Sequence, residues 1–252
     1  MHIPFKIQLF VGTSGTAQHP SVDVTVPADF KIVGGGALDH WSEPGNLLTA
    51  SFPSNPQTWS AAGKDHQDVS PASITAFALA IHDPKNEWDV VIKSETSDPA
   101  AHPQAVATLP HGYTLTGGGA FVDYGAGYGN LLTASFPTSQ SSWEARSKDH
   151  LVSDPASITS YVIGIRHRSD ITKVEGRIKK FTGATAQHPT AQVCLEKDWT
   201  LSGGGALDEW QGQGNLLTAS FPRGLCWFAD GKDHIDPSPA PITAYVIGIR
   251  TA

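Results

Sequence analysis

The nonapeptide Gly45-Asn46-Leu47-Leu48-Thr49-Ala50-Ser51-Phe52-Pro53 occurs three times without change, again at 129–137 and 214–222. Self-similarity at a fixed period means that one supersecondary unit has been written several times, and that its copies share a core. Other anchors keep step. Lys64-Asp65-His66 returns at 148–150 and 232–234, at offsets of 84 residues each, and Gly34-Gly35-Gly36-Ala37 returns at 117–120 and 203–206. His19-Pro20 matches His102-Pro103 and His188-Pro189. The copies therefore run 1–84, 85–168 and 169–252, each about 84 residues. No flexible linker separates them, since Ile81-His82-Asp83-Pro84-Lys85 leads almost directly into the next unit, so a closed threefold body is expected rather than beads on a string.

The unit reads as all-β. With 25 Gly, 18 Pro and only 16% charged residues, the chain suits short strands joined by tight turns better than helices. β-type runs at 5–11, 22–26, 47–52, 58–62 and 74–81 are separated by turn residues and predict five or six strands per copy. The last run is strongest in Ile158-Thr159-Ser160-Tyr161-Val162-Ile163-Gly164-Ile165 and its counterpart at 242–249, where near-continuous apolar character predicts burial on both faces. The expected fold is one pseudo-threefold, β-prism-like body built from three tandem repeats. Three small packed β-sandwiches are the alternative.

A net charge of -7 argues against a nucleic-acid partner, because phosphate-backbone affinity comes from Lys and Arg displacing counterions. The one basic stretch, 166–180, alternates charged residues with Val, Gly and Ile over 173–179 and reads as a strand with one solvated face. No run approaches the roughly 20 apolar residues of a membrane span. The start, Met1-His2-Ile3-Pro4-Phe5-Lys6, has no signal-peptide pattern, which suits a cytoplasmic protein, one released by an unorthodox route, or a mature form whose leader is missing. Cys194 and Cys226 both lie in the third copy, where the others have Thr25 and Thr108, or Thr58 and Ser142. A disulfide scaffold repeats with its fold, so free thiols are expected over one local bridge.

Lys-Asp-His is the most informative polar group, because charged residues that recur identically beside variable neighbours (Gln67, Leu151, Ile235) are being held for a purpose. Two readings fit equally. In one, Asp65, Asp149 and Asp233 accept bonds from sugar hydroxyls or bind a cation, helped by His66, His150 and His234. In the other, the Asp caps a turn and the Lys and His line a neighbouring strand. Pairing these histidines with His19, His102 and His188 would supply two imidazoles and a carboxylate per unit, enough for zinc, though no close metal spacing is present. No cofactor is otherwise expected. Trp59, Trp143 and Trp227 recur within a strand and read as core. Trp41 and Trp210, with Tyr124 and Tyr128 in the longer second-copy segment 124–128, read as loop aromatics able to stack on a sugar ring. Asn46, Asn130 and Asn215 read as Gly-Asn hairpin turns. The glycine triplets lack the Lys-Ser/Thr and helix of a phosphate loop, which leaves tight turning or close strand packing. Ser51, His66 and Asp65 make a poor catalytic set, since adjacent strand residues face opposite ways.

The succession Gly-Gly-Gly-Ala, Gly-Asn-Leu-Leu-Thr-Ala-Ser-Phe-Pro, Trp and Ile-Thr-Ala-Tyr-Val-Ile-Gly-Ile resembles a bacterial repeat family of unassigned role. More loosely, it resembles the threefold β-prism proteins of the vitelline outer-layer and jacalin-like lectin group. That resemblance implies sugar binding through a glycine-rich loop and a Gly-x-x-x-Asp loop, a spacing met by Gly35 to Asp39, Gly119 to Asp123 and Gly204 to Asp208. Every polar candidate is present in triplicate, which favours a multivalent glycan-binding protein over an enzyme, whose spare copies drift. The competing expectations are a single, metal-assisted Asp/His enzyme site and a structural or toxin-like β-prism.

Overall fold

The computed structural model describes residues 5–125, 127–169 and 172–251. The N-terminal residues Met1 to Pro4, on which the leader reading rests, and Ala126 of the tyrosine-bearing segment lie outside them. The first copy forms β1 (Ile7–Thr13), β2 (Ser21–Thr25), β3 (Phe30–Asp39), β4 (Asn46–Asn55), β5 (Thr58–Asp65) and β6 (Ile74–His82). The second forms β7 (Trp88–Thr96), β8 (Gln104–Thr108), β9 (Thr114–Asp123), β10 (Asn130–Pro137), β11 (Ser142–Asp149) and β12 (Ser157–His167). The third forms β13 (Val174–Thr182), β14 (Thr190–Cys194), β15 (Thr200–Asp208), β16 (Asn215–Arg223), β17 (Cys226–Asp233) and β18 (Ile242–Thr251). No helix occurs among the described residues, and so none is long and apolar enough to cross a membrane.

The protein is all-β, with three six-stranded antiparallel sheets in pseudo-threefold arrangement, and no sheet belongs to a single copy. Their orders are β1-β6-β3-β16-β17-β14, β13-β18-β15-β10-β11-β8 and β2-β5-β4-β9-β12-β7. Each copy gives its first, third and sixth strands to one sheet and its second, fourth and fifth to the next. The copies are therefore interleaved, and the seam between copies one and three repeats those between one and two and between two and three. Each seam is short: β3 meets β16 only at Leu38↔Ala219 and Ala37↔Ser220, and β4–β9 and β10–β15 pair over two positions in the same way.

The glycine triplets lie inside strands and make this closure physically allowable. A Cβ on Gly34 would stand 2.2 Å from Ser202 O and 3.1 Å from Gly203 Cα, one on Gly203 3.0 Å from Gly117 Cα, and one on Gly117 2.8 Å from Gly34 Cα. The backbones of β3, β9 and β15 therefore touch one another in a ring. The middle glycines give room to indoles, with a Cβ on Gly35 falling 2.4 Å from Trp59 Cδ2. The last ones admit the neighbouring copy at the seam, with a Cβ on Gly36 only 2.2 Å from Ser220 O. Of the two sequence readings, close strand packing is the one realised.

Trp59, Trp143 and Trp227 are fully buried, and each Nε1 donates to a seam-strand serine: Ser51 at 3.2 Å, Ser135 at 2.9 Å and Ser220 at 2.9 Å. Leu47, Leu131 and Leu216, one per copy, pack together in a cluster of their own. The final strands β12 and β18 are apolar and buried along most of their length, as their sequences predict. Residues 174–180 of the basic stretch lie in edge strand β13, with alternating half-buried and exposed residues over its first half, while Arg166 and His167 end β12.

The expectation of free thiols is overturned. Cys194 and Cys226 face each other across β14 and β17, their Cα atoms 4.0 Å apart, and are joined in a disulfide. At this cross-strand position the first copy has Thr25 and Thr58, whose hydroxyls lie 3.0 Å apart. The bridge replaces a local polar pair and is not a scaffold, which is why it does not repeat. Replacing both cysteines by threonine should lower unfolding free energy by about 2–4 kcal/mol without changing the fold, measured by urea denaturation. An unchanged midpoint would show that the bridge adds nothing to the threonine pair.

Candidate functional site

The three Lys-Asp-His motifs form a buried clasp between copies. Each lies where a strand (β5, β11 or β17) ends, and the following residue is left-handed: Gln67 at φ 61°, Leu151 at 59° and Ile235 at 66°. This conformation is costly for a β-branched residue such as Ile235, so the surrounding contacts must hold it. They do so in a cycle. His66 Nε2 lies 2.6 Å from His150 O, His150 Nε2 2.7 Å from His234 O, and His234 Nε2 2.7 Å from His66 O. Each Nδ1 faces a loop carbonyl of another copy: Tyr128 O at 3.1 Å, Gln213 O at 3.0 Å and Pro44 O at 3.2 Å. The lysines grip the same three carbonyls, Lys148 at 2.6 Å, Lys232 at 2.6 Å, and Lys64 on Tyr128 O.

Carbonyls only accept, so a neutral imidazole can serve one of its two contacts as donor, and we assign the hydrogen to Nε2 because that contact is shorter in all three. Burial holds all three histidines below their ordinary range, His150 at about 4, and outweighs the carbonyl contacts, which favour the charged form. Burial likewise lowers Lys64, Lys148 and Lys232, Lys148 to about 8, against the pull of neighbouring carboxylates.

For the Lys and His of this motif, the structural reading is the one the geometry supplies. Identical recurrence has a packing reason after all, because each motif locks the next copy's loop. The ring histidines, proposed from sequence as ligand or metal groups, are buried, with both ring nitrogens of each facing main-chain carbonyls of other copies. The zinc arrangement does not assemble, and among the described residues no group of three or more His, Cys, Asp or Glu is placed to hold a metal ion. Ser51 Oγ is occupied by Trp59 Nε1 and His66 by two carbonyls, so no catalytic set exists there. The Asn expectation is also corrected. Asn46, Asn130 and Asn215 are fully buried, with Nδ2 donating to Gln18 O, Ala101 O and Gln187 O at 2.8–2.9 Å, and do not form hairpin turns.

The aspartates of the motif look the other way. One oxygen caps a turn, as Asp65 Oδ2 accepts from Ser70 N at 3.2 Å and Asp233 Oδ2 from Ser238 N at 3.1 Å. The other oxygen faces a roughly half-exposed histidine: Asp65–His19 and Asp149–His102 at 3.5 Å, and Asp233–His188 at 3.6 Å. An aromatic ring from a different copy completes each group. Trp41 lies 4.9 Å from Lys232 Nζ and 5.3 Å from the His188 ring. Trp210 lies 4.9 Å from Lys148 Nζ and 5.1 Å from the His102 ring. In the remaining group Tyr124 stands 5.5 Å from Lys64 Nζ, and Tyr128 is exposed beside it. The Trp210 group opens into a cleft of about 600 Å³, lined also by His102, Arg146, Ser147, Asp208 and Glu209.

Three pseudo-equivalent groups therefore lie where copies meet, each with a His–Asp pair from one copy and an aromatic from another, and the Trp210 group lines a cleft. Asp39 and Asp208 are buried, with both carboxyl oxygens out of reach of a bound molecule, whereas Asp123 is exposed. Arg146 and Glu209 had no signal in the sequence, because only the interleaving brings them to a cleft wall. No protein-family model matches the chain, and no curated protein is significantly similar to it.

Proposed function

We propose that this protein is a multivalent carbohydrate-binding protein of the threefold β-prism, lectin-like kind, with one site at each inter-copy His–Asp–aromatic group. The observation that carries the reading is the threefold recurrence of one set: a largely buried carboxylate, the roughly half-exposed imidazole it faces, and a partly exposed flat aromatic held by an underlying lysine. A carboxylate and an imidazole exchange hydrogen bonds with vicinal hydroxyls, and an aromatic face packs against the C–H face of a pyranose. Three modest sites on one rigid body gain avidity on a surface rich in glycans.

The sites are unequal, since two carry Trp and the third Tyr124. Screening on a broad glycan array, followed by calorimetry with a monovalent hit, should give about three sites per chain in two affinity classes. Trp210→Ala should remove one site or weaken it about tenfold while leaving the melting temperature within a few degrees. A clean null across the array, or a Trp210→Ala protein that loses stability and no binding, overturns the proposal and leaves the aromatics as part of the clasp.

A further inference from the structure

Asp39 ends β3 opposite Ile74, and Asp208 ends β15 opposite Ile242; they are 3% and 2% exposed. Neither oxygen of either carboxyl has a hydrogen-bond partner, and beside them Asn46 Oδ1 and Asn215 Oδ1 are buried and equally unpartnered. The amides cannot turn to help. Asn46 Nδ2 is committed to Gln18 O at 2.8 Å and Ser70 O at 3.4 Å, and Asn215 Nδ2 to Gln187 O at 2.8 Å. In each of these copies both acceptors lie over the same glycine. A Cβ on Gly63 would lie 2.5 Å from Asn46 Oδ1 and 3.0 Å from Asp39 Oδ2, and one on Gly231 2.5 Å from Asn215 Oδ1 and 3.0 Å from Asp208 Oδ2. Acceptors crowded together in a buried place repel unless a hydrogen lies between them.

The second copy supplies a comparison within the molecule. Opposite Ile158, the position of Asp39 and Asp208 is taken by buried Val122, and Ser147 stands where the other copies have Gly63 and Gly231. Valine is an uncharged, apolar side chain, so the second copy buries no carboxyl group at this position. In the second copy the site holds an uncharged side chain, and there Asn130 Oδ1 and Ser147 Oγ are buried and unpartnered.

We propose that Asp39 and Asp208 are carboxylic acids in the folded protein, each donating its hydrogen to the facing oxygen of Asn46 or Asn215, two buried proton sites that the second copy lacks. Burial is the dominant influence on both, raising Asp39 to about 7 and Asp208 to about 8. Lys232 on β17 acts against burial at Asp39; Lys148 on β11 does so at Asp208, where neighbouring Glu209 sides with burial. The other nearby charges are engaged elsewhere, Lys64 with Tyr128 O, Asp65 with His19 and Asp233 with His188. Each acid lies two residues before a tryptophan of these groups, Trp41 or Trp210.

Carbon-13 NMR of labelled aspartate carboxyls in the intact chain tests this directly. Two resonances should be protonated at pH 6 and titrate between about 7 and 8, where ordinary aspartates are ionised near 3.8. Copying the second copy's arrangement, as Asp39→Val with Gly63→Ser or Asp208→Val with Gly231→Ser, should delete one such titration each. If a variant fails to fold, the wild-type titration still decides. Finding every aspartate ionised at pH 6 in folded protein overturns the proposal. So does a rise in wild-type melting temperature on adding calcium or potassium that the variants lose, which would put a cation in the proton's place.

Discussion

Gly203→Ala should cost more than about 3 kcal/mol of stability, or abolish soluble expression, although it adds one methyl group. Its Cβ would lie 2.3 Å from Thr116 O and 3.0 Å from Gly117 Cα, so the obstacle is backbone and cannot rotate away. Moving β15 off the axis to relieve it also withdraws β15 from β3, because Gly34 is already against Ser202 O and Gly203 Cα. One methyl is felt by all three copies. Gly15→Ala is the matched control, since nothing lies within 4 Å of a Cβ there. Urea denaturation of the pair checks the point: equal midpoints would mean that the three central strands are not in backbone contact.

The second large effect is a pH profile made of two opposed parts. The ring histidines are held below their unfolded value, so their stabilisation is complete above about pH 6.5 and is lost as pH falls; for His150, from 6.5 to about 4, the loss is about 3 kcal/mol. His66 and His234 act in the same direction. Asp39 and Asp208 are held above their unfolded value, so their contribution is complete below about 3.8 and is lost as pH rises through about 7 and about 8. Between pH 4 and 6.5 each aspartate subtracts about 3 kcal/mol while His150 returns about as much. Above 6.5 the aspartates act alone, and stability should decline by about 3 kcal/mol toward pH 9. Converting both acid sites to the Val and Ser pair of the second copy should remove that decline and expose a steep acid limb below 6.5. Chemical denaturation across pH reads both. A converted protein equally stable at pH 4 and 7 would show the ring histidines to be charged, donating from both nitrogens.

Strand positions were largely legible because they depend on short-range pattern. The apolar run at 158–165 predicts a buried strand and becomes β12, and the alternation at 173–179 predicts a half-solvated strand and becomes the edge strand β13. Trp59, Trp143 and Trp227 read correctly as core for the same reason. Lys-Asp-His was legible as a held group, but not by what. Its partners, the carbonyls of Pro44, Tyr128 and Gln213, belong to other copies, and a main-chain oxygen carries no mark in the sequence. The cysteine pair was misread because its reason is cross-strand register at one position, which a repeat argument discounts. Asp39 and Asp208 satisfy a Gly-x-x-x-Asp spacing, yet the strand carries them into the interior. Asp123 meets the same spacing one register later and stays in solvent.

The sequence by itself determined that the fold is all-β and threefold, since a period of about 84 residues and strand-type patterning are properties of neighbours along the chain. Only the tertiary structure decided how the copies share their strands. Each copy divides its strands between two sheets, and neighbouring copies join within each sheet at the short β3–β16, β4–β9 and β10–β15 seams. That interleaving puts Trp41 beside His188 and Trp210 beside His102, and makes a buried clasp of a motif that looks, in one dimension, like a surface site.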